Sequence, residues 1–137
     1  MKVGIVGSRD YDNYQRIKEI IYKLKLRFGT DLIIVSGGCP NGADHLAKII
    51  AKEDLQIEYV EFPPYHKPYN SDCRKNGIGS YMYGKAYSVR NFFARNKQIA
   101  EYSDAVIAFM KTGASNKGTQ HTIDCAKKLN KKNMIIY

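Results

Sequence analysis

The chain has 137 residues, 44% hydrophobic and 26% charged, with 22 Lys and Arg against 13 Asp and Glu for a formal charge of +9. This length suits a single domain, no apolar run approaches the ~20 residues of a membrane span, and the segment Val3 to Gly7 behind one lysine is too short for a secretory signal. Cys39, Cys73 and Cys125 are odd in number and lack a C-x-x-C pair, which argues against a disulfide framework or zinc ribbon and for a cytoplasmic protein, while the positive balance favours anionic partners without naming one.

The first element, KVGIVG (Lys2 to Gly7), is a short β-branched run that stops at a glycine, the pattern of a buried parallel strand entering a tight turn. Ile17, Ile20, Ile21, Leu24 and Phe28 then recur at helical spacing, with Asp12 and Gln15 placed for a capping box and Gly29 placed to end the helix. DLIIVS (Asp31 to Ser36) is a second buried strand, and Ala43, Leu46, Ala47, Ile50 and Ala51 form the apolar stripe of a second helix. QIEYVEF (Gln56 to Phe62) alternates as a third strand near a sheet edge.

From Pro63 to about Tyr87 the periodicity dissolves into prolines, glycines and tyrosines interleaved with Lys67, Arg74, Lys75 and Lys85; a loop of this length is expected to be a lid or an oligomer arm. Helical spacing resumes at Val89, Phe92, Phe93, Ile99 and Ala100, and DAVIAFM (Asp104 to Met110) is a fourth buried strand. A glycine-containing turn, Thr112 to Thr119, leads to a helix carrying Ile123, Ala126 and Leu129, and NMIIY (Asn133 to Tyr137) is the last strand. The alternation of strands and helices predicts an α/β fold, a Rossmann-like three-layer sandwich around a mostly parallel sheet of about five strands, with residues 1–137 forming one domain.

Ligands of open α/β sheets sit beyond the carboxyl ends of the strands. Three turns are therefore candidates: Gly7-Ser8-Arg9, the segment Ser36-Gly37-Gly38 through Asn41, Gly42 and Asp44, and the segment from Gly113 through Ser115, Lys117, Gly118 and Thr119. Glycine lets main-chain N–H groups approach an oxyanion, and the helix start that follows adds roughly half a positive charge. Ser8, Ser36, Ser115 and Thr119 offer hydroxyls, while Arg9 and Lys117 offer charge. The same glycines also suit tight strand-to-helix turns without any ligand. The first turn lacks G-x-G-x-x-G and no turn carries G-x-x-x-x-G-K, so conventional dinucleotide and Walker-type ATP sites are excluded.

The ordered set Gly7-Ser8-Arg9, Ser36-Gly37-Gly38 with Gly42-Ala43-Asp44, Arg95-Asn96, Asp104 to Phe109, and Ser115 with Gly118-Thr119 resembles the SLOG superfamily. That superfamily groups DprA/SMF-type proteins with LOG phosphoribohydrolases, and the chain is most similar to its small YspA-like, YpsA-related branch of bacteria and phages. The resemblance implies a Rossmann-like fold holding a nucleotide-derived ligand, such as a nucleoside monophosphate or an ADP-ribose derivative, as a sensor or sequestering protein that forms dimers or tetramers. It implies that Gly37, Gly38, Gly118 and Thr119 hold the phosphate and that Arg9, Ser36, Arg95 and Asn96 complete the pocket. Arg90-Asn91 is a second reading of the R-N pair. No cofactor and no membrane partner is implied.

One departure bears on catalysis. LOG enzymes carry a glutamate three residues after the threonine of the last turn, and this chain has Thr122 there. Such cleavage benefits from a carboxylate, and Asp44, ahead of Asp10 and Asp124, is the replacement acid expected for an N-glycosidase, although a role as dipole partner at its helix start suits Asp44 slightly better. A third reading is single-stranded nucleic-acid binding of DprA type, motivated by the charge and by tyrosines among lysines. His121 and Cys125 are spaced i, i+4, but two ligands do not make a metal site, and none is expected. Cys39 lacks an evident base and is expected to be a small turn residue.

Overall fold

The computed structural model of the chain describes residues 1–64, 88–113 and 116–137. Five strands, β1 (Lys2–Gly7), β2 (Ile33–Ser36), β3 (Glu58–Glu61), β4 (Ala105–Phe109) and β5 (Lys132–Ile136), form one sheet in the order β3-β2-β1-β4-β5. Every pairing is parallel, with Val3 to Gly7 of β1 facing Ala105 to Phe109 of β4. Among the described residues, four α-helices complete an α/β Rossmann-like arrangement: α1 (Tyr14–Phe28), α2 (Gly42–Ile49), α3 (Val89–Tyr102) and α4 (Lys117–Lys128).

Side-chain alternation in the strands divides the core into two layers. Val3, Ile5, Ile34 and Phe109 pack with Ile17 and Ile21 of α1 and with Ala43 and Ala47 of α2. Val6, Val35, Val106 and Ala108 pack on the other face with Ile99 and Ala100 of α3 and with Ile123 and Ala126 of α4. The chain thus builds outward from β1 to β3 over one face, then crosses back to β4 and β5 over the other. Strand order reverses between β1 and β4, the location where open α/β sheets part their flanking loops into a crevice.

Local details refine the sequence expectations. The cap of α1 is Asn13 and not an Asp12/Gln15 capping box: its Oδ1 accepts the Arg16 N–H at 3.0 Å, because Tyr14 N–H already turns back onto the Asp12 carbonyl at 2.9 Å. Gly29 ends α1 at φ +58°, and α2 runs on as a π-type turn over Ile50–Asp54. β3 begins only at Glu58, since Gln56 is left-handed at φ +51° and Ile57 N–H bonds back to Ala51. Asp104 accepts the Lys2 N–H at 2.8 Å, a structural tie between the starts of β1 and β4. Pro63 and Pro64 are buried at the end of the β3 exit. The rest of the predicted long loop, with Tyr81, Tyr83 and Tyr87, lies outside the described residues, as does Ser115. No described helix is long and apolar enough to cross a membrane.

The tightest contact of the sheet is at Gly7, where a Cβ would stand on the Phe109 carbonyl oxygen and the Ala43 methyl, whereas a Cβ on Gly118 would meet nothing within 4 Å. Gly7→Ala is expected to lower unfolding free energy by about 2 kcal/mol or more, as overpacking against backbone does. Gly118→Ala, in the open first turn of a helix, is expected to leave stability unchanged or raise it by up to about 1 kcal/mol. Urea unfolding of the two variants beside the parent checks both values.

Candidate functional site

A cleft of about 580 Å³ opens at the reversal between β1 and β4, within the ~300–1,000 Å³ usual for small-molecule sites. Its floor is the end of β1, with Gly7, Ser8 and Arg9. One wall is α3, with Val89, Phe92, Phe93, Arg95 and Asn96, and another is the start of α4, with Asn116, Lys117, Gly118 and Thr119; Cys39 and Asp44 close the remaining side.

The floor is held by Ser8. Its N–H extends the β1–β4 ladder onto the Phe109 carbonyl at 2.9 Å, and its carbonyl accepts the N–H groups of Tyr11 and Ala43, each at 3.2 Å. Its hydroxyl donates to Asn116 Oδ1 and accepts the Lys111 N–H at 3.1 Å, while Asn116 Nδ2 donates to the Lys111 carbonyl at 3.3 Å. The first turn and the last are thereby clasped together. As a result Asn116, the N-cap residue of α4, makes no side-chain cap bond to its own helix. The first intrahelical bond runs from Gln120 N–H to the Asn116 carbonyl at 2.8 Å, so the amides of Lys117, Gly118 and Thr119 precede it at the cleft wall. No acid lies in that first turn.

Arg95 is the second organiser. Its Nη1 donates to the Gly37 carbonyl at 2.7 Å and its Nε to Asn96 Oδ1 at 3.0 Å. Asn96 Nδ2 in turn donates to the Gly118 carbonyl at 3.1 Å and faces His121 Nδ1 at 3.4 Å. Asp44, 6% exposed in the first turn of α2, accepts the Cys39 N–H at 3.3 Å. Burial pushes its carboxyl above the ordinary range, opposed by the charge of Arg95. Burial likewise draws the Arg95 guanidinium below its ordinary range, opposed by Asp44, and raises the Cys39 thiol. A raised Cys39 is the opposite of what an activated thiolate needs.

The sequence-derived candidates divide in two. Gly7, Ser8, Arg9, Asp44, Arg95, Asn96, Lys117, Gly118 and Thr119 come together on the cleft. The glycines of the second turn instead stand against the chain's own atoms: a Cβ on Gly37 would run into the Arg95 guanidinium, one on Gly38 into the Glu61 side chain, and one on Gly42 into the backbone of Ser8 and Arg9. Ser36 is fully buried at the end of β2, and Asn41 is exposed before α2. Arg90 is exposed at the start of α3, so the R-N pair on the cleft is Arg95-Asn96. Thr122, at the position of the LOG glutamate, turns its hydroxyl onto the Gly118 carbonyl at 3.3 Å. Cys125 Sγ lies 3.8 Å from His121 Nε2, and among the described residues no group of three or more His, Cys, Asp or Glu side chains is placed to hold a metal ion.

Two contributors were not singled out from the sequence. The aromatic wall, Phe92 and Phe93, reads in the sequence as part of the apolar stripe of α3, and only the structure shows both residues on the cleft with Phe93 left exposed. The clasp made by Asn116 has no local signature, because its partner is 108 residues away.

A parallel five-stranded sheet with a cleft at its point of reversal defines an open α/β, Rossmann-like domain. The chain belongs to the DprA/SMF family: the model of DNA recombination-mediator protein A matches residues 1–136, in keeping with the resemblance to the SLOG superfamily. Comparison with curated proteins gave no match.

The raised Asp44 carboxyl gives a pH signature. Its proton is held more tightly in the folded than in the unfolded chain, so its contribution to stability is complete below the unfolded carboxylate pKa of about 3.9 and is lost as pH rises through the higher folded value. The stability of the parent relative to Asp44→Asn is therefore expected to fall as pH is raised from about 3.5 to 7. Parallel denaturant titrations across that range check the sign, and parallel curves refute it.

Proposed function

We propose that the chain binds a nucleotide or nucleotide-derived small molecule, a nucleoside monophosphate or an ADP-ribose derivative, with its phosphate at the start of α4. The observation that carries this reading is the diverted cap: Ser8 takes the side chain of Asn116, and the uncapped first-turn amides border a cleft that also holds Arg9, Arg95 and Lys117. A helix start carrying Lys117 in place of an acid is unfavourable alone and is completed by an external anion. Arg9 is exposed with its guanidinium over the Phe92 ring, free to swing onto a phosphate oxygen.

A second reading, hydrolysis of the N-glycosidic bond of such a ligand, is favoured by Asp44, a cleft-lining carboxyl that burial keeps protonated longer than usual, as a general acid requires. A third is favoured by the family, whose name refers to DNA recombination, and by the +9 charge: single-stranded DNA would meet the same basic groups.

Calorimetry against the four common nucleoside monophosphates and ADP-ribose tests the first reading. At least one is expected to bind, and Arg9→Ala is expected to weaken it about tenfold or more, the worth of a charge-assisted hydrogen bond. Absence of binding across the panel, or binding indifferent to Arg9→Ala, overturns it. Chromatography of the incubated ligand decides the second reading: free base that disappears with Asp44→Asn supports turnover, and intact ligand removes it. For the third, a gel shift that fades steeply with salt is the expected sign, and no shift at low salt dismisses it.

A further inference from the structure

Two phenylalanines follow one another on α3 and are used differently. The guanidinium groups of Arg9 and Arg95 each stand 5.5 Å from the centroid of Phe92, which commits that ring to the cationic side of the cleft. Phe93 instead meets the ring of His121 at 4.7 Å and 61°, and 43% of it remains exposed. Val89, one turn earlier on the same helix, is 54% exposed. Both line the cleft, although α3 already anchors itself to the sheet through Ile99 and Ala100.

The Phe93 ring is also fixed relative to the anion-facing helix. His121, which braces it, faces Asn96 Nδ2, and that amide donates to the Gly118 carbonyl. Asn96 therefore sets the position of the ring's neighbour and of the α4 start together. His121 lies one helical turn from Lys117, about 6 Å along the axis at 1.5 Å per residue. Phe93 and Val89 thus form an apolar platform on the α3 wall of the same cleft whose other wall is the start of α4.

We infer that Phe93, with Val89 beside it, is a base subsite: a platform for the aromatic base of a nucleotide whose phosphate occupies the start of α4. This rests on the reading under Proposed function and narrows it, because the ligand then is a nucleotide with an intact base and not a sugar phosphate or inorganic phosphate. Selection on such a platform is by stacking area, with purines preferred over pyrimidines.

The test is calorimetry with AMP, GMP, CMP and UMP beside ribose 5-phosphate, which keeps the sugar and phosphate and lacks the base. The parent is expected to bind the purine nucleotides about tenfold or more tighter than ribose 5-phosphate, the usual gain from stacking a base on an aromatic side chain. Phe93→Ala is expected to reduce the nucleotides to the level of ribose 5-phosphate while leaving ribose 5-phosphate unchanged, and Phe93→Trp is expected to retain the preference. Equal binding of nucleotides and ribose 5-phosphate by the parent, or equal weakening of both by Phe93→Ala, overturns the base subsite and leaves the phosphate site standing. Failure of ribose 5-phosphate and of every nucleotide to bind the parent overturns both.

Discussion

A guanidinium drawn partly out of water needs an acceptor for the N–H groups it withdraws, and Arg95 finds them in separate parts of the chain. It holds the Gly37 carbonyl at the end of β2 and the Asn96 side chain on its own helix, with the Asp44 carboxyl of α2 nearby. Since α2 lies on one face of the sheet and α3 on the other, the contact joins the two layers around the strand ends. Asn96 extends the chain of bonds to α4. The walls of the cleft are thus fixed to one another through one side chain and its neighbour, and the absence of a Cβ at Gly37 is what gives the guanidinium its room.

Much of this was legible in the sequence because it is local. Buried parallel strands read as short apolar runs, and all five appear within a few residues of their predicted places. The helices follow from Ile17 with Ile21 and from Ile123 with Ala126, whose spacing puts them on one face. The topology follows from the alternation of elements. Boundaries were less legible where a single residue takes an uncommon backbone conformation: Gln56 at φ +51° is no glycine, and only the tertiary bond from Ile57 to Ala51 shows why β3 starts late.

The site was legible in outline and not in its wiring. A glycine in a sequence announces that a Cβ is missing but not what fills the space. At Gly38 it is the Glu61 side chain, itself held by Lys48 at 3.2 Å and by the Tyr59 hydroxyl at 3.1 Å, and at Gly42 it is the backbone of the first turn. Caps are similarly ambiguous. Asn13 and Asn116 are the same residue type at the same helical position, yet Asn13 caps its helix and Asn116 does not. The difference is made by Ser8, which is far in sequence and adjacent in space.

The Gly118 carbonyl accepts the Thr122 hydroxyl and the Asn96 amide, two donors from two helices. Donors pulling on a carbonyl oxygen shift electron density along its peptide unit, so the N–H on the far side of that unit, which belongs to Thr119, carries more positive charge; such mutual polarisation strengthens each bond by about 10–30%. A carboxylate at position 122 would have no proton to give that oxygen. The threonine in its place makes α4 a sharper electrical pole, tuned by induction and without any added formal charge.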